Sequence, residues 1–280
     1  MRSLATAVWA VLAILVFRPA RAEDPVKPDE VRQKRLELLL ARVDEFQLEV
    51  AGQEGGQLKR GAQPILRWSN PVRDFLNDGV IFLFLERSRP RAIVTVWARS
   101  PEATLQSGEL WREFVSLSAQ PLACSRGGRV LWSPKTGGLV EQPVAGAPAP
   151  AGKPAQRLVQ MREIARRFQA TSYKMESPFE LRLLTQPLYR YEDEAAGILD
   201  GALFSFAEGN DPEVVLLLEA MAGAGGKEAA WRYSLARMTS YRVVVRLDGR
   251  EVFSAVPYWK NPRGPSDPYF EASDGPFTLR

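Results

Sequence analysis

The chain has 280 residues, 45% of them hydrophobic, with 37 basic and 33 acidic side chains, one cysteine and no histidine. The missing histidine removes Ser-His-Asp and Cys-His catalysis and most zinc sites, and a lone Cys124 excludes an intramolecular disulfide. Three of the bases, Arg2, Arg18 and Arg21, fall in a leader sequence, which leaves 34 against 33 acids, so charge gives no reason to expect a nucleic-acid partner.

Arg2, the apolar run 4–17 and the triplet Ala20-Arg21-Ala22 have the pattern of a cleaved secretory signal over residues 1–22. No later segment approaches the roughly 18 apolar residues that a membrane helix needs, so the mature chain is expected to be secreted or periplasmic without a transmembrane segment. Within and beyond an N-terminal segment (23–34), Asp29 caps a helix predicted over 31–43. Leu36, Leu39, Leu40 and Val43 form its apolar stripe, and Arg32, Lys34, Arg35, Glu37 and Arg42 cover its other faces. Phe46, Leu48 and Val50 then alternate with polar residues, the period of a half-buried strand. Apolar runs at 79–86 and 92–98 predict a hairpin around 87–91, with Pro90 in its turn, and Gly127-Gly128 predicts another tight turn.

A Pro, Gly and Ala-rich linker spans 134–156. Beyond it Leu158, Met161, Ile164 and Phe168 form the stripe of a second helix, with Arg157, Arg162, Arg166 and Arg167 on its solvated faces. Runs at 201–208 and 214–220 predict a hairpin around Gly209-Asn210-Asp211-Pro212, 231–235 another strand, and Asp248-Gly249 a type I′ turn between 241–247 and 250–256.

This second series repeats the first. Gln186-Pro187-Leu188-Tyr189-Arg190-Tyr191 answers Gln63-Pro64-Ile65-Leu66-Arg67-Trp68, Asp200-Gly201 answers Asp78-Gly79, Pro212 answers Pro90, and Trp231-Arg232 answers Trp111-Arg112, at offsets of 120 to 123. Such spacing predicts a tandem duplication of repeat A (35–133) and repeat B (157–256), followed by a tail at 257–280. The expected class is α+β and β-dominated, with a helix plus an antiparallel β-meander in each of two pseudo-equivalent halves.

No residue is assigned to catalysis, to a metal or to a cofactor, and no cofactor is expected. Ala222-Gly223-Ala224-Gly225-Gly226-Lys227 lacks the spacing and the final Ser or Thr of a phosphate loop. Asp78 and Asp200 precede glycine and read as turn residues. Glu86 and Glu208 share a strand face with Phe82, Phe84, Phe204 and Phe206, and Arg67 and Arg190 are their natural partners, as rim ion pairs or a paired site. Tyr258, Trp259, Tyr269 and Phe270 either line a binding groove or staple the C-terminus to a repeat.

The strings LRWSNPVR, RGGRVLWSP, QPLYRY, DGALFSF, LARMTS, DGREVFS and DPYF resemble those of an uncharacterised family of secreted proteins of unknown function from planctomycete-type bacteria, over nearly the whole mature chain. That resemblance implies secretion and a shared fold, and transfers no activity. The expected function is therefore that of a non-catalytic extracytoplasmic binding, interaction or structural protein, with an envelope protein or an apolar small molecule as partner. One alternative is a carrier of an apolar ligand behind the four phenylalanines, since a helix and a long meander are similar in architecture to periplasmic lipoprotein-carrier half-barrels. Another is a carboxylate-dependent hydrolase using Glu86 and Glu208.

Overall fold

The structure is a computed structural model that describes residues 28–70, 76–100, 106–223, 225, 228–258 and 264–279. The expected leader, Ala224, Gly226 and Lys227 of the glycine-rich stretch, and Trp259 lie outside the described residues. Helix α1 (Pro28–Asp44) begins on a proline, whose missing N–H has no partner to lose in a first turn. It leads to β1 (Gln47–Val50), β2 (Lys59–Arg60), β3 (Leu66–Asn70), β4 (Leu76–Glu86), β5 (Arg89–Ser100), β6 (Ser107–Ser116), β7 (Leu122–Arg126) and β8 (Arg129–Trp132). A short β9 (Gln142–Pro143) precedes helix α2 (Pro154–Ala165). Then come β10 (Phe168–Lys174), β11 (Ser177–Asp193), β12 (Ile198–Glu208), β13 (Asp211–Met221), β14 (Ala230–Arg237), β15 (Arg242–Leu247), β16 (Arg250–Ala255) and β17 (Tyr269–Thr278). Phe168, expected on the second helical stripe, instead opens β10, because α2 ends at Ala165 with Arg166 as its C-cap.

The fold is β-dominated α+β with antiparallel sheets. Pairing registers run in step through the two halves. Asp78 faces Ala98 as Asp200 faces Ala220, and both hairpins bulge so that Leu85 faces Pro90 and Ala207 faces Pro212. Pro90 and Pro212 therefore sit inside strands and not in the turns, where a bulge interrupts the ladder that proline cannot join. Cys124 faces Trp132 as Val245 faces Phe253, again with a bulge at the next pair. The turns of these outer hairpins have positive φ at both central residues, Gly127 and Gly128 or Asp248 and Gly249, which is the type I′ geometry.

One expected equivalence moves by a residue. Leu110 faces Ala98 where Trp231 faces Ala220, so Trp231 answers Leu110, and Arg232 answers Trp111. A one-residue slip turns a strand side chain to the other face. Accordingly Trp231 is core and Trp111 is only half-buried, stacked on Trp97 at 6.1 Å. The halves also differ in closure. Strand β10 joins β15 to β11 in one eight-stranded sheet, whereas β1-β7-β8 forms a separate three-stranded sheet beside β17-β6-β5-β4-β2, with β3 also on β4.

Three apolar layers explain why the central strands read as continuous hydrophobic runs. Leu39 and Val43 of α1 pack with Phe82 and Phe84 on one side of β4, and Met161 and Ile164 of α2 pack with Phe204 and Phe206 on one side of β12. The opposite faces meet each other: Ile81, Leu83 and Ile93 share a core with Leu203, Val215 and Leu217. Buried on both faces, these strands have no polar side to show. The four phenylalanine rings thus fill packed cores beneath the helices, and Cys124 packs with them as a small apolar group, its thiol pushed up by burial to about 12.

Two strands, β6 and β14, are each covered by chain that follows the other half. Strand β17 runs along β6, and β9 pairs with β14 at Arg232 and Tyr233. The expected linker and the expected tail both contribute strands, which hides ladder groups that an open edge would expose.

Candidate functional site: the seam between the halves

The ionisable residues singled out in the sequence take partners other than those expected. Glu86 accepts from Arg91 and Glu208 from Lys174, each within its own half, so the pairs Arg67 with Glu86 and Arg190 with Glu208 do not form. Arg190 instead donates from Nε and Nη2 to Asp200 at 2.8 and 2.5 Å, and Arg67 Nη2 lies 3.8 Å from Asp78. Register explains this. Arg67 faces Val80 and Arg190 faces Ala202, two residues from these aspartates, whereas Glu86 and Glu208 lie six residues along the strand, about 20 Å away.

Two further arginines, missed as binding partners, converge on the same carboxylates. Arg35 of α1 pairs with Asp78, and Arg157 of α2 donates to Asp200 at 2.9 Å. Expected on solvated helix faces, they are 0% and 7% exposed. Their remaining donors go to Ser100 Oγ and the Ala98 carbonyl, and to the carbonyls of Ala151, Gly152 and Leu199. Burial pushes the Asp78 carboxyl up and the Arg35 guanidinium down, and their mutual attraction offsets only part of that. Asp78-Gly79 and Asp200-Gly201 are therefore not turns: the acids lie mid-strand and clamp each helix to its sheet.

At the seam the β4–β5 turn of the first half reaches into the second. Arg89 donates to both oxygens of Glu219 at 3.0 and 2.9 Å and to Glu141 at 2.9 Å, and Arg87 pairs with Asp193. Tyr191 Oη donates to the same Glu219 at 2.5 Å, and burial, then Glu219, pushes that phenol well above its usual value. At the other end of the seam the β12–β13 turn reaches into the first half. Asp211 and Glu213, placed where Arg89 and Arg91 stand, border a cavity of about 70 Å³ with Trp68, Trp97 and Glu113.

Glu113 is 6% exposed and accepts from Thr95 Oγ1 at 3.3 Å. Burial, then Glu271, raises its carboxyl well above 4.5. A raised folded-state value means that the stability due to the protonated form is present below the unfolded value and lost as pH rises through the folded one. Glu113→Gln, which mimics the protonated form, should be neutral at pH 4 and stabilise by about 1–2 kcal/mol at pH 8–9. Melting curves of both proteins across that range check this, and an equal effect at both ends would contradict it.

A second cavity, of about 270 Å³, opens between β6, β14, β16 and the segment entering β17, with Val115, Ala236, Phe253, Val256 and Tyr269 on its walls. Val256, at its lip, is 51% exposed. Arg237 braces it: the guanidinium lies 4.7 Å from the Tyr269 ring centroid and donates to the carbonyls of Thr239, Tyr241 and Val256. Of the aromatics expected in the tail, Tyr269 lines this groove, Tyr258 meets Tyr269 edge-on at 5.5 Å, and Phe270 packs on the core under α1.

Among the described residues no group of three or more His, Cys, Asp and Glu side chains converges as a metal site. No described helix is long and apolar enough to cross a membrane. Comparison of the chain with protein-family models, with curated proteins and with solved structures finds no match.

Proposed function

We propose that the protein is a non-catalytic extracytoplasmic binding protein, built by tandem duplication, that seats its ligand in the groove of about 270 Å³ between the halves. The observation that carries this is the groove itself. It is walled by both halves, braced by Arg237, and has the exposed Val256 at its lip, which suits a preformed site of apolar walls with few polar groups. Of the charged residues present in both halves, Arg35 with Asp78 and Arg157 with Asp200 fasten helices to sheets, and Glu86 and Glu208 are held in ion pairs within their own halves. The leader pattern and the resemblance to secreted planctomycete-type proteins support export, and the parallel registers support the duplication.

Native mass spectrometry of the mature protein isolated from its own envelope tests the reading. A bound species should accompany the wild type and be lost from Val256→Asp. Because Val256 is half exposed, that change should move stability by less than about 0.5 kcal/mol. Screening against ester, glycoside, peptide and phosphate substrates should show no turnover. A turnover abolished by one substitution at Glu86, Glu208 or Glu113 would overturn the proposal.

A further inference from the structure

The first half shows what its own version of this groove holds. There the tail segment 265–268, in a turn closed by Asp267 N donating to Gly264 O at 3.1 Å, lies against the end of β8 and β6: Ser133 N donates to Pro265 O at 2.6 Å, Lys135 N to Ser266 O at 3.0 Å and Ser116 N to Pro268 O at 2.8 Å. The Trp132 indole adds a bond to Asp267 O at 2.7 Å. Every group of this cradle has a counterpart by register. Trp132 faces Cys124 as Phe253 faces Val245, and Ser116 faces Ala92 as Arg237 faces Val214. Ser133 and Lys135 follow Trp132 as Ser254 and Val256 follow Phe253. All four counterparts, Phe253, Ser254, Val256 and Arg237, line the groove of about 270 Å³. Strand β16 also ends its sheet, with no described strand on its outer side.

Resting on the seam as the binding site, we propose that this groove takes a turn-forming peptide segment of a partner protein, docked as the chain's own 265–268 docks on the first half. Backbone carbonyls of the peptide accept from the N–H groups of Ser254 and Val256, and an apolar side chain covers Phe253 and Val256. Main-chain bonds to the end of β16 supply attachment, and the pocket supplies selectivity. The hydrogen bonds of Arg237 to Thr239, Tyr241 and Val256 keep the floor in place before the peptide arrives.

The probe is the synthetic heptapeptide Gly-Pro-Ser-Asp-Pro-Tyr-Phe, the sequence of residues 264–270, titrated into isotope-labelled mature protein with amide shifts as the readout. Saturable shifts are expected at 253–256, with a scrambled heptapeptide at least about tenfold weaker. Val256→Asp should weaken binding about tenfold or more with an unchanged melting temperature. Ser254→Pro, which removes one donor on an edge strand, should do the same. Shifts confined to Ser116 and 132–135, meaning exchange with the chain's own tail, would overturn the proposal, as would equal affinity for the scrambled peptide or wild-type affinity in both variants. A small-molecule adduct lost from Val256→Asp without any peptide binding would overturn the peptide and leave the seam reading standing. Absence of both would overturn both.

Discussion

Asp200→Ala is expected to destabilise the protein by about 3–5 kcal/mol, because it leaves two arginines facing a carboxylate that is no longer there. The Asp200 side chain is fully buried and takes Arg157 Nε at 2.9 Å and Arg190 Nε at 2.8 Å. Arg157 is 7% exposed, and its other donors are tied to the carbonyls of Ala151, Gly152 and Leu199, which hold the guanidinium where the carboxylate was. The equivalent Asp78→Ala should cost less, about 1–3 kcal/mol, because Asp78 is 16% exposed and Arg67 approaches only to 3.8 Å with much of its side chain in solvent. Urea unfolding of both variants at pH 7 measures the difference. A loss below about 1 kcal/mol for Asp200→Ala would mean that the clamp does not hold the helix. A double change of Arg157 to Met and Asp200 to Ala should recover part of the loss, since the penalty comes from stranding a charge and not from lacking a pair.

That cluster also shows where sequence reasoning stops. Both helices, the β4–β5 and β12–β13 hairpins and the type I′ turns are local patterns of period and turn chemistry, and they were legible. The seam was legible in part: an uninterrupted run such as 80–85 announces burial on both faces without saying what covers the second one. Arg35 and Arg157 read as solvated because an arginine on an amphipathic helix ordinarily is, and their partners lie 43 residues downstream in both halves. A signal was nonetheless present, since Arg35, Arg67 and Asp78 recur as Arg157, Arg190 and Asp200 at offsets of 122 and 123. Three charges repeated together point to one shared contact. Glu86 and Glu208 recur too, yet each is satisfied inside its own half, so recurrence alone did not name the partner. Arg89 with Glu219 carries no such signal: its counterparts are Asp211 and Trp97, and only the packing of one half on the other brings the pair together.

Gly201→Ala should destabilise by about 1–3 kcal/mol, against the usual direction for glycine in a strand, where alanine is the better residue by about 0.5–1 kcal/mol. Gly201 sits in β12 without a positive φ, so nothing in its backbone demands glycine. What demands it is space: a Cβ there would stand 2.5 Å from Cζ of the Tyr191 ring. That ring cannot step aside cheaply. It stacks on Tyr189 at 5.8 Å, and its hydroxyl is bound to Glu219, which also holds Arg89 across the seam. The first half repeats the arrangement with Trp68, whose Cε2 lies 2.9 Å from a Cβ built on Gly79, so Gly79→Ala should fail in the same sense. A double-mutant cycle separates ring contact from backbone preference. Tyr191→Ala alone should cost about 3–5 kcal/mol from the lost ring, but adding Gly201→Ala to it should cost nothing further or stabilise. If Gly201→Ala is as harmful without the ring as with it, the requirement for glycine lies elsewhere, and the Asp-Gly pairs lose the packing role that places them in mid-strand.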